Sequence, residues 1–239
     1  MRFFIALCFN FLLIISAVVP SSAADRNAIE TFMKVTGFDV SLESMRVSAS
    51  DAPAMLGLDA ADFGVSWKRI ADELFEPESL KNDAVGILQQ ALSENVLVHA
   101  SEFYASELGI RLVKAENLSH FEDSDQKKID GELILAELVD RSSPQPQYFR
   151  EMADSIGALE SGIRSFREVQ VRFIMAAMGA GLIDRQIDEA DLRSMLAQQD
   201  AEIKTNMLQS LIIANSYTYR SFTDLEIAQY RDALATDEM

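Results

Sequence analysis

Hydrophobic residues fall into two patterns along this chain. Residues 3–19 are almost uninterruptedly apolar, follow Arg2, and give way to Pro20-Ser21-Ser22-Ala23-Ala24. One positive charge, an apolar stretch short for a membrane span, and small residues at the end predict a cleaved secretory signal peptide over residues 1–24. From residue 25 onward the apolar positions recur at steps of three and four, with no alternating β-branched run bounded by hairpin turns. That period predicts an all-α protein.

Ile29, Phe32, Met33 and Thr36 make the first stripe, closed by Gly37 at a C′ position. Helix starts are expected at Asp51 and Pro53, at Asp59 or Asp62, and at Glu76-Pro77, because an acidic side chain caps free amides and proline fits a first turn. Leu80, Ala84, Ile87, Leu88 and Ala91 then form one buried face, and Val96, Leu97, Ala100, Phe103 and Tyr104 the next, ending near Gly109. Further helices are expected over 110–121 and 125–140. The prolines of Ser142-Ser143-Pro144-Gln145-Pro146 forbid helix continuation and predict an extended linker. Beyond it, Met152, Ile156, Leu159, Ile163, Phe166, Gln170, Phe173, Ala177 and Ala180 step by fours and threes as a heptad seam, with Gly157 and Gly162 as points where the helix could divide. A last long helix over 189–219 is expected to pack Leu192, Leu196, Ile203, Met207, Leu211 and Ala214 against that seam.

Leu92-Ser93-Glu94 aligns with Phe222-Thr223-Asp224 at an offset of 130, each an apolar residue, a hydroxyl N-cap and a carboxylate at a helix start. The expected architecture is therefore a helical bundle built from two related halves: residues 25–141, a linker over 142–146, and residues 147–239. In the second copy Met239 falls in the slot of Gly109, which leaves no counterpart for residues 110–120. An uncovered apolar face is expected there, so Ile227, Tyr230 and Leu234, with Phe103 and Tyr104 of the first copy, form the candidate interaction surface.

Ile29-Glu30-x-Phe32-Met33-x-Val35-Thr36-Gly37, Phe103-Tyr104-x-Ser106-x-x-Gly109-x-x-Leu112 and Thr223-Asp224-x-Glu226-Ile227-x-x-Tyr230 carry a further signal. In these segments the chain resembles the exported bacterial family called domain of unknown function 2059. The resemblance implies an all-helical envelope protein and brings no catalytic residues with it.

Composition narrows the partners. The net charge is −17, and one unit more negative once Arg2 leaves with the signal, so nucleic acid and anionic headgroups are disfavoured while cationic peptides or divalent ions are favoured. The single cysteine, Cys8, lies inside the signal, which leaves the exported protein without disulfides or thiolate chemistry. No later segment is apolar enough for stable membrane insertion, and the expected location is periplasmic or secreted.

Candidate chemistry is sparse. His99 and Glu102 share a helix face three residues apart, but His120 is the only other histidine and two ligands are too few, so no metal and no cofactor are assigned. The acidic runs Glu122-Asp123-Ser124-Asp125 and residues 184–191 lack the alternating ligands and central glycine of a calcium loop and read as helix caps. There is no Gly-x-Ser-x-Gly elbow. Ala176-Ala177-Met178-Gly179-Ala180-Gly181 reads as a close helix crossing, and the methionines as core filling. The expected function is a non-catalytic module that binds an unidentified protein or peptide through a groove between the two halves. The alternative is a periplasmic hydrolase acting on a wall polymer through a carboxylate pair, whose separation is spatial and not legible in sequence.

Overall fold

A computed structural model describes residues 25–49, 76–179, 187–237 and 239, and among these the chain is helical throughout. The expected signal segment, the helix starts expected at Asp51 to Asp62, and Ala180-Gly181 lie outside the described residues. The helices are α1 (Arg26–Val35), α2 (Phe38–Ala49), α3 (Pro77–Ala91), α4 (Glu94–Tyr104), α5 (Glu107–Ser119), α6 (Ser124–Asp140), α7 (Gln145–Ser155), α8 (Ala158–Gly179), α9 (Glu189–Ala197), α10 (Asp200–Thr218) and α11 (Asp224–Leu234).

Local chemistry sets most of these boundaries. Glu76 accepts from the amides of Glu78 and Ser79 ahead of Pro77. Ser93 and Ser106 cap α4 and α5 through the amides of Val96 and Gly109. At α11 a full capping box joins Thr223 and Glu226. Asp123 and Asp188 are spent capping α6 and α9, which accounts for one acid in each acidic run.

Several expectations are corrected. Residues 142–146 are not an extended linker: Ser142 takes φ 56° and the amides of Ser142 and Ser143 bond back to the carbonyls of Val139 and Leu138. This is a Schellman turn, after which Pro144 caps α7 and Pro146 sits in its first turn, where a missing amide hydrogen does no harm. The seam helix divides at Gly157, one of the two points expected, whose φ of +60° follows the end of α7, so the seam is not continuous: Ile156 and Phe166 are exposed, while Leu159 and Ile163 are buried. The last helix is likewise two, α9 and α10. Ile87, expected inside, is 66 % exposed, and Val85 takes the buried place. Gly109 belongs to the first turn of α5 rather than the end of α4, and glycine suits it because a Cβ there would strike the backbone of Phe103 and Tyr104.

The halves are related in packing as well as sequence. In the first, α1 packs on α2, α3 and α4, and α2 on α3; in the second, α7 packs on α8, α10 and α11, and α8 on α10. The turn after α1 and the turn after α7 repeat bond for bond: Thr36 N to Phe32 O matches Ile156 N to Met152 O, Gly37 N to Lys34 O matches Gly157 N to Asp154 O, and Ser41 N to Gly37 O matches Ser161 N to Gly157 O. Both glycines hold the positive φ that closes such a turn. Similarly α4 and α11 have equivalent ends, with Ala105 N to Ser101 O matching Ala235 N to Arg231 O. The first half keeps a small core of its own, Ile29, Met33, Val85 and Leu97, but the larger core spans both halves. Helix α6 precedes the 142–146 turn but packs most extensively on α10, and one cluster joins Leu112 and Leu138 to Phe149, Tyr219, Phe222 and Ile227.

Candidate functional site

The seam between the halves is aromatic around a single carboxylate. Glu116 lies on α5 one turn beyond Leu112, so its carboxyl follows that side chain toward the core. Tyr219, just past α10, donates its hydroxyl to Glu116 Oε1 at 2.7 Å, and Tyr230 of α11 donates to the same oxygen at 3.1 Å. The Tyr104 and Tyr230 hydroxyls stand 3.3 Å apart, and since Tyr230 gives its proton to Glu116, Tyr104 is the donor between them. Phe103 stacks on Tyr230 at 5.8 Å, and Tyr219 meets Tyr230 edge to face at 6.0 Å. Nearby, Arg111 pairs with Glu226 and lies over the Phe222 ring at 4.9 Å.

Burial raises the Glu116 pKa above the ordinary carboxylate value, opposed by the two tyrosine hydrogen bonds, which favour the ionised form. Burial also holds the phenols of Tyr219 and Tyr230 well above their usual value, and the Glu116 charge adds to it. These phenols therefore act as neutral donors. A cavity of about 320 Å³ with a mixed lining lies at Glu116, bounded by Thr36, Ser41, Tyr104, Asn117 and His120 and by the apolar Phe32, Phe38 and Ala100. His120 Nδ1 is 3.5 Å from Ser44 Oγ, and partial burial lowers its pKa, with Lys127 nearby acting in the same sense. Glu116 is the one side-chain carboxylate among the described residues lining this cavity, so the pair that glycoside hydrolysis requires is not assembled there.

The residues expected as an interaction surface are brought together, but in the interior. Ile227 is 0 % exposed and Tyr230 and Leu234 are buried with it; Phe103 and Tyr104 are partly buried against the same cluster. The uncovered face expected on α11 is covered by α7 on one side and by the α4 rings Phe103 and Tyr104 on the other. His99 stands apart from His120, its Nε2 3.5 Å from Thr236 Oγ1. Among the described residues no group of three His, Cys, Asp or Glu could hold a metal. Sequence reading missed Glu116 and Tyr219. A carboxylate in register with Leu112 on a buried stripe is the signal that could have raised Glu116, but its partner lies 103 residues away.

Two openings lie beside α1 on the first half and share Ala105 at their border. One is a groove of about 680 Å³ between α1–α2 and α5, with Ile110, Leu118 and Phe121 more than half exposed and Lys34 and Lys114 at its edge. The other, about 670 Å³, lies between α1 and α4 over Leu97 and Val98. No curated protein and no solved structure matches this chain. Residues 78–125, from α3 through the first turn of α6, match the family model described as an uncharacterized protein conserved in bacteria, domain of unknown function 2059 (DUF2059).

Proposed function

We propose that this protein is an exported, non-catalytic helical module of the bacterial envelope that binds a helix of another protein in the α1–α2/α5 groove. The observation that carries this reading is the exposed stripe Ile110, Leu118 and Phe121, which follows one side of α5 into an open apolar groove. Such a stripe on a surface helix suits an amphipathic partner helix, laid with its apolar side in the groove and its carboxylates toward Lys34 and Lys114. Glu116 supports a structural rather than a chemical role, because its oxygen is committed to two tyrosines that join the halves. Export follows from the layout of residues 1–24.

In-cell crosslinking of the periplasmic fraction tests both parts. The double change Leu118→Asp, Phe121→Asp should abolish a discrete crosslinked species, while Ile129→Asp on the exposed side of α6 should leave it. Equal loss, or no loss, in the two variants refutes the groove. Mass spectrometry should find the released protein starting at Ala24 or Asp25; an intact residue 1–24 segment on a membrane-bound product refutes export.

A further inference from the structure

The α1/α4 opening acquires meaning from its counterpart in the second half. With the matched turns and helix ends in register, Ala28 corresponds to Tyr148, Thr31 to Glu151, Ser101 to Arg231 and Glu102 to Asp232. In the second half this seam is filled: the Arg231 guanidinium lies 4.4 Å over the Tyr148 ring, bonds Glu151 at 3.2 Å and pairs with Asp232 at 2.6 Å. The first half carries Ala28, Thr31 and Ser101 in those places, and the space the ring and guanidinium would occupy is open. The acid survives as Glu102, joined at the rim by Asp25 and Glu94. Among the described residues, none of these three side chains is held by a hydrogen bond or ion pair. The floor, Leu97 and Val98, is apolar.

We infer that the α1/α4 cleft binds an arginine next to an aromatic residue on a peptide segment of a partner, which replaces the internal Tyr148–Arg231 pair with one supplied from outside. The aromatic ring would cover Ala28 and Leu97, and the guanidinium would take Glu102 as Arg231 takes Asp232. A planar fork that stacks and pairs at once fits this seam better than an ammonium. The charge of −17 makes the approach of a cationic segment favourable. This site borders the α5 groove at Ala105 but has its own floor, Leu97 and Val98, whereas the groove is built on Ile110, Leu118 and Phe121.

The test is fluorescence anisotropy with a labelled peptide of alternating arginine and tryptophan on the purified protein. Ala28→Tyr combined with Ser101→Arg rebuilds the second half's seam and should weaken binding by about tenfold or more, with thermal stability kept or raised. Glu102→Gln, a surface change that does not threaten folding, should weaken it severalfold and flatten its dependence on salt, whereas Glu107→Gln, the same charge change elsewhere, should not. Leu118→Asp should leave this binding intact, which separates it from the groove reading. Unchanged affinity in the filled or Glu102→Gln protein, equal loss in Glu107→Gln, or equal affinity for a lysine-tryptophan peptide overturns the inference.

Discussion

Among the described residues helices α6 and α10 form the most extensive pair, and they meet at Gly131. A Cβ at Gly131 would lie 2.5 Å from the Ile213 carbonyl oxygen, 2.9 Å from its Cγ2 and 3.2 Å from its carbonyl carbon. Comfortable carbon–oxygen contact begins near ~3.3 Å, so the two backbones must separate by most of an ångström or the helices must rotate. The obstacle is backbone, not the end of a flexible side chain, and overpacking of this kind costs about 1–3 kcal/mol. Replacing a mid-helix glycine with alanine returns about 0.5–1 kcal/mol of backbone entropy and propensity. Packing wins: Gly131→Ala should be destabilising by about 1–2 kcal/mol, a loss of roughly 2–8 °C in Tm for a domain of this size. Gly86 in α3 is the matched control, since nothing lies within 4 Å of a Cβ built there. Gly86→Ala should gain about 0.5–1 kcal/mol and raise Tm by a few degrees. Urea titration followed by circular dichroism, with thermal melts alongside, reads both variants. Two substitutions identical in sequence terms are expected to move stability in opposite directions. A Gly131→Ala protein as stable as the parent would refute the close approach of α6 and α10.

Glu116→Gln should change the pH dependence of stability. The folded-state pKa of Glu116 is raised above 4.5, so its contribution is present below that value and is lost as pH rises through the folded-state value. The parent's Tm minus that of Glu116→Gln should therefore fall from pH 4 toward neutrality, and a difference that stays level or rises contradicts the burial of this carboxylate. Thr223→Ala removes the capping box of α11 and should cost about 1 kcal/mol in urea denaturation. Amide exchange in α11 should quicken with it; an unchanged midpoint would mean that α7 and the α4 rings alone fix this helix.

The sequence determined the helical class and most helix starts, because these depend on neighbours a few residues apart. Ser93, Ser106 and Thr223 cap their own helices, and Gly37 ends α1 by its own positive φ. The resemblance carried by Phe103-Tyr104 to Leu112 lies within the matched residues 78–125 for the same reason: it consists of a cap, a turn and a packing register. The 130-residue offset between Ser93 and Thr223 was readable, whereas the relation of α1 to α7 was not, since it lives in backbone hydrogen bonds more than in shared residues. The two prolines of 144–146 misled because a proline stops one helix and starts another equally well, and only the Schellman turn at Ser142 tells which. Tertiary structure alone decided which apolar stripe is covered: Tyr230 and Leu234 are inside because α7 and the α4 rings close over them, while Ile110 and Leu118, equally apolar, remain outside. It also decided that Glu116 meets Tyr219 and Tyr230, and that Ala28 and Ser101 stand where the other half keeps Tyr148 and Arg231. Those facts depend on groups far apart in the chain, whose side-chain chemistry is the same whether or not folding brings them together.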